Sequence, residues 1–129
     1  MVVISPELRA EIAEHAREEA PNESCGLLLL NGDAAKEYVR AVNRAASPYR
    51  FELYLEPERW ARIELDQAVV HSHVSSAPRP SRTDVENIGL WEGRPYLIYS
   101  VRTDELAAWT ITGGEIAPVR LEVLRTSNR

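Results

Sequence analysis

The sequence predicts a mixed α/β domain with three helices and about six strands. Three observations carry this. Short apolar runs such as "CGLLLL", "QAVVHSH" and "RPYLIYSV" have the length and β-branched content of buried strands. Amphipathic stretches open at Pro6 and Pro57, where proline suits a first helical turn. The 129 residues fit one domain, 1–129, without repeats or a low-complexity linker.

The elements follow in order. "SPELRAEIAEHAREEA" reads as a helix capped by Ser5, with Leu8, Ile12, His15 and Ala16 near one face. "PNE" breaks it. "SCGLLLLNG" is a strand closed by an Asn-Gly turn, and "KEYVRAVNRA" alternates and can pair with it. "YRFELYLEP" alternates again, with Phe51, Leu53 and Leu55 on one side. "PERWARIEL" is a short helix. "QAVVHSH" is a buried strand ending in histidines, "SSAPRPS" a loop, and "RTDVENIGLW" a helix. "RPYLIYSV", "LAAWTIT" and, after a Gly-Gly turn, "EIAPVRLEVL" complete the strands.

The totals exclude several classes. A net charge of −5 is not the basic footprint of a nucleic-acid binder. No apolar run approaches the roughly 20 residues of a membrane span. The opening residues lack the apolar core of a secretory leader. Cys25 is the only cysteine, so no intrachain disulfide forms and a Cys-rich zinc site is excluded; a reducing cytoplasm is the expected compartment. Cys25 itself reads as a small buried strand residue rather than a nucleophile.

The chemistry concentrates in "HSHVSSAPRPSRTD", His71 to Asp84. Side chains at i and i+2 of a strand share a face about 6.5–7 Å apart, so His71 and His73 can converge on one ion. Ser72 should then point the other way. Two imidazoles and a carboxylate, with a position left for water, form a common catalytic zinc set. Asp84 can supply the carboxylate if the Pro-rich loop folds back. Ser81 has the chemistry to face an oxyanion, and Glu23 is the best upstream base if its strand lies beside "AVVHSH". Blander readings stand beside these. Ser81-x-x-Asp84 is also a capping box for the following helix. Glu23 alone reads as a solvated carboxylate, with Glu18 or Glu19 as fallback bases. His15 reads as a helix-surface or packing residue, and Trp60, Trp91 and Trp109 as packing residues. Arg79 and Arg82 are either solvated or steer a substrate tail. A zinc deaminase would need a His-x-Glu and a Pro-Cys-x-x-Cys, and neither is present.

His71-Ser72-His73, seven residues, Ser81, two residues, Asp84 resembles the signature of the JAMM (MPN+, Mov34-like) metalloproteases. "PNESCGLLL" is similar to the family segment carrying the catalytic glutamate. "RPYLIYSV" with "LAAWTI" resembles the bacterial branch that acts on sulfur-carrier proteins. The resemblance runs from about residue 5 to about residue 123. It implies an MPN-type α/β fold, with a curved, partly barrel-like mixed sheet, packed helices and a cytidine-deaminase-like architecture. It implies one zinc ion per chain on His71, His73 and Asp84. Glu23 would be the general base and acid, and Ser81 would stabilise the tetrahedral intermediate. The implied substrate is a ubiquitin-like, β-grasp sulfur carrier, cut after its C-terminal Gly-Gly to release cysteine or a short extension. A phage-tail-type peptide target and a non-catalytic MPN scaffold are the alternatives. Val74 stands where the family usually has proline, which predicts a looser loop after His73. The short linker "PERWARIELDQAVV" predicts a truncated helix before the histidine strand. The chain is also too short for the long insertion by which eukaryotic deubiquitinating members hold ubiquitin chains.

Overall fold

A computed structural model describes residues 1–125. Among these, β1 (Val2–Ile4) leads into α1 (Pro6–Glu19), then β2 (Cys25–Asn31), β3 (Ala34–Asn43) and β4 (Leu53–Tyr54). Next come α2 (Pro57–Ala61), β5 (Asp66–His73), α3 (Arg82–Glu86) and a 3-10 turn (Gly89–Trp91). β6 (Tyr96–Ser100), β7 (Glu105–Thr112), β8 (Glu115–Val119) and β9 (Leu121–Val123) close the chain.

The strands form one mixed sheet in the order β8-β7-β6-β5-β2-β3-β1-β9, with β4 attached to β3. Pairs β5–β6, β1–β3 and β1–β9 are parallel, and the others antiparallel. The β2–β3 hairpin turns at Gly32-Asp33, one residue beyond the expected Asn-Gly, because Asn31 still pairs with Ala34; Gly32 takes φ +61° without a Cβ penalty. β2 lies between β3 and β5 with both edges paired, and its apolar run is buried on both faces by the clusters that pack on either side of the sheet.

Alternation sorts the core. Leu28, Leu30, Ala68, Val70, Leu97 and Tyr99 face α1, which packs Ile12, Ala13 and Ala16 against them. Leu27, Leu29 and Val39 face the other way, toward Leu55, Trp60 and Trp91. Val69, Tyr96, Ile98 and Ile111 share that second face and meet Phe51, Val85, Ile88 and Trp109. His71 and His73 continue the Val69 register, so they emerge on the face toward α3.

Several expectations change. Nine strands form rather than about six, because β1, between β3 and β9, and β9, at the sheet edge, are three residues each and too brief for a periodic signal. "EIAPVRLEVL" divides at Arg120 into β8 and β9. "YRFELYLEP" supplies only the two residues of β4 to the sheet. The reason is Asn43. Its amide donates to Glu23 O and Arg50 O, and its carbonyl accepts from Ala45 N and Glu52 N. These bonds gather 44–52 into a loop before pairing can extend. Trp60, Trp91 and Trp109 are half-buried, as packing residues should be. α2 is five residues long, as short as the linker implied. His15 takes the packing side of its two readings: it is buried, with Nδ1 2.7 Å from the Tyr38 hydroxyl.

Candidate active site

The neighbouring strands β2 and β5 bring the polar residues together. Cys25 pairs with His71 in the antiparallel ladder. Glu23 therefore sits level with His73, and residues directly opposite share a face. The ligand atoms of Glu23, His71 and His73 all lie within 4.8 Å of one another, and all three side chains are buried. The two imidazole centroids are 5.1 Å apart and nearly perpendicular.

Asp84 reaches the same point from α3. The chain returns through 74–80 and caps the helix with Ser81, whose Oγ accepts from Asp84 N at 3.1 Å. The Asp84 Oδ2 accepts from Ser81 N at 2.8 Å, completing the capping box. The same carboxylate faces both histidines, with Oδ1 3.1 Å from His71 Nε2 and Oδ2 3.0 Å from His73 Nε2. The cap and the cluster thus share one side chain. Ser81's hydroxyl accepts within the cap and keeps its own proton to donate elsewhere.

Burial dominates the electrostatics. Glu23 is pushed up to about 8 by burial, with Asp84 adding to the rise and His73 opposing it. Burial also lowers the pKa of His71. It opposes charge on His73 too, but there the hydrogen bonds to Asp84 and Ala77 prevail and raise the pKa. Burial alone would raise Asp84, yet the two imidazoles and the Ser81 N–H hold it well below the usual carboxylate range.

Hydrogen bonding leaves a specific deficit. Neither ring nitrogen of His71 makes a hydrogen bond, despite the 3.1 Å approach of Asp84, and neither does Glu23 Oε1. An unpaired buried polar group costs about 1–3 kcal/mol. Glu23 Oε1 and one His71 ring nitrogen, beside a second imidazole and a carboxylate, fit a divalent cation better than any apolar filling. His73 is also set up as a ligand. Its Nδ1 lies 2.9 Å from Ala77 O, and a carbonyl only accepts, so that nitrogen carries the proton. The Nε2 is left to face the cluster.

The loop after His73 is not loose. Ser100 Oγ donates to Ser76 O at 2.8 Å, and Trp109 Nε1 donates to Pro78 O at 2.9 Å. Arg102 reaches Ser75 O and His73 holds Ala77 O. Side chains of β5–β7 thus do the work expected of a proline at Val74. Ser72 points away from the histidines, as its register requires, and its Oγ accepts from Ser24 N at 2.8 Å. Arg79 lies over the Trp109 ring, 5.4 Å from its centroid, and Arg82 is exposed beside Glu86. Cys25 is fully buried and its thiol is pushed up to about 12, which leaves it inert.

Two neighbours escaped the sequence reading. Phe51 stacks on His71 with centroids 4.6 Å apart. The Tyr96 hydroxyl donates to Asp84 Oδ1 at 3.1 Å. The available signal was a tyrosine inside an apolar strand, whose buried hydroxyl must find an acceptor. A cavity of about 380 Å³ opens beside Phe51, between Arg50, Leu53, Asn87, Ile88 and Trp91. A larger hollow of about 640 Å³ lies at the far end of β5, by Asp66 and Gln67, away from the histidines.

The family model of the prokaryotic homologs of the JAB domain matches residues 5–112. The chain belongs to this family. Among the relatives of this JAB-domain protein is a desampylase of Haloferax volcanii, 34% identical, covering 93% of this chain and 94% of the relative. A CysO-cysteine peptidase of Mycobacterium tuberculosis is 27% identical over 96% of this chain and 92% of its own. A solved structure described as JAMM, a metalloprotease-like zinc site in the proteasome and signalosome, superposes with a TM-score of 0.62. It is 25% identical and covers 97% of this chain and 99% of that one. The JAB-domain protein is therefore a JAMM-family hydrolase with the α/β fold the motif implied. Among its described residues no helix is long and apolar enough to cross a membrane.

Proposed function

We propose that this JAB-domain protein is a zinc-dependent peptidase. Its substrate is a ubiquitin-like sulfur-carrier protein, cut at the peptide or isopeptide bond after the C-terminal Gly-Gly. The product leaving the carrier is cysteine or a short extension. One observation carries the reading: Glu23, His71, His73 and Asp84 converge in a buried cluster whose polar atoms are not satisfied by the protein alone. The names of the relatives, a CysO-cysteine peptidase and a desampylase, support small carrier proteins as the substrate class.

His71, His73 and Asp84 would hold the ion, one per chain. When bound, zinc supplies a Lewis acid that makes water a nucleophile near neutral pH. Glu23 takes the proton released as the water attacks and delivers it to the departing amine. Its burial favours holding that proton between the two steps. Ser81 donates its hydroxyl proton to the carbonyl oxygen as negative charge grows there. The Gly-Gly tail enters extended, past Arg50 and Phe51, along the cavity beside them.

The test is mass spectrometry of sulfur-carrier proteins with and without C-terminal extensions, incubated with the zinc-loaded protein. The expected result is loss of the residues after Gly-Gly and no change in carriers that already end there. Carriers of every kind left intact by fully loaded protein would refute the reading.

A further inference from the structure

Asp84 is the one cluster member that comes from outside the β2–β5 pair, on a five-residue helix. Its orientation therefore depends on what grips it. Ser81 N grips Oδ2 at 2.8 Å. The other oxygen, Oδ1, has one hydrogen-bond donor outside the imidazoles: the Tyr96 hydroxyl at 3.1 Å. Tyr96 is 1% exposed, and its ring lies 5.0 Å from that of His71 and 6.4 Å from that of Phe51. A phenylalanine would fill this apolar position equally well. The hydroxyl is an extra polar group in the core, and it is spent on Asp84.

We propose that Tyr96 is a positioning residue that fixes the plane of the Asp84 carboxylate for a divalent cation. The inference rests on the metal site proposed above. Two donors on opposite oxygens lock the carboxylate torsion that one donor leaves free to swing. Tyr96 is itself fixed by β6, which runs parallel to β5 with Tyr96 level with Val69. The orientation of the third ligand is thereby referred to the strand that carries the first two. Tyr99 provides an internal comparison. It lies on the opposite face of β6 and donates to Asp104 at 2.6 Å, away from the cluster.

The experiment measures zinc affinity by chelator competition for the parent, Tyr96→Phe and Tyr99→Phe. The visible bands of the cobalt(II)-loaded proteins are recorded beside it. Tyr96→Phe should bind zinc about 10–100-fold more weakly, the usual consequence of removing an outer hydrogen bond to a ligand. Its cobalt bands should shift, whereas Tyr99→Phe matches the parent in both. Equal affinity and equal bands in Tyr96→Phe would overturn the proposal. A parent that takes up no zinc would overturn the metal site and this inference together. A measurement on the parent alone keeps the question decidable if Tyr96→Phe does not fold. The hydrogen-bonded Tyr96 hydroxyl proton should persist in NMR spectra after zinc addition, and its disappearance would count against the proposal.

Discussion

Replacing Ser72 by alanine should destabilise the protein by about 2 kcal/mol, within the roughly 1–3 kcal/mol cost of orphaning a buried donor. The motif's central serine faces away from the histidines, toward β2. At this rung the ladder changes character. Ser72 N donates to Ser24 O at 3.1 Å, but Ser24 N donates to Ser72 Oγ instead of completing the rung through main chain. Ser72 is 0% exposed and Ser24 3% exposed, so solvent does not reach the pair to replace the lost oxygen. Alanine removes the acceptor and leaves the Ser24 N–H unpaired. Urea unfolding in the presence of a chelator isolates this term from metal binding. With a slope of about 2 kcal/mol per M, the midpoint should fall by about 1 M at unchanged slope. Turnover should fall less than on loss of Glu23, because two other bonds hold that residue's main chain, Glu23 N to Ser47 O and Asn43 Nδ2 to Glu23 O. A midpoint within about 0.2 M of the parent would show that Ser24 N–H finds another acceptor, and would refute this account of the serine.

Three further outcomes are expected. Glu23→Ala should retain zinc while turnover falls about 10²–10⁴-fold, the usual scale of a lost acid–base group, whereas Asp84→Ala should lose both; metal analysis beside a cleavage assay separates the two. Gly26→Ala should cost about 2–4 kcal/mol, combining overpacking with a strained Tyr38–His15 bond, as read by chemical denaturation. Its Cβ would stand 2.6 Å from the Tyr38 hydroxyl and from Val39 O, and backbone does not yield. His15 is held neutral chiefly by burial, with Arg40 also opposing its charge, so its pKa falls below the ordinary value. The unfolded chain then binds more protons than the fold, and stability rises with pH in that window. The His15 contribution is present above about pH 6.5 and is lost as pH falls toward the depressed value. Melting temperatures of metal-free parent and His15→Gln at pH 7.5 and 5.5 should show the smaller drop in the variant; equal drops would contradict the assignment.

The sequence was most legible where period and spacing speak directly. The two-residue spacing placed His71 and His73 on one face and Ser72 on the other. The "SCGLLLL" and "AVVHSH" runs pair as neighbours, which puts Glu23 level with His73. Ser81 and Asp84 form the capping box, and the capping carboxylate also faces the histidines, so the two readings of the Asp84 spacing are compatible. What stayed hidden lies in side chains whose partners are distant in sequence. Asn43 in "AVNRA" looks like any turn asparagine, yet its hydrogen bonds decide where β4 begins. Ser100 and Trp109 belong to strands that read as ordinary core, yet they tether the loop. The pattern leaves His15 between surface and packing, because its hydrogen-bond partner, Tyr38, lies across a helix–sheet contact that no local pattern encodes.

The anchoring of the 74–80 loop bears on any attempt to graft this site. The stretch from His71 to Asp84 contains three of the four clustered residues and looks portable. Its carbonyls at Ser76 and Pro78 end on Ser100 and Trp109, and its serine ends on Ser24. Transplanted alone into a foreign sheet, the segment would arrive with its imidazoles and carboxylate but without the scaffold that aims them. A workable transplant would have to take β2, β6 and β7 along with β5, four of the nine strands.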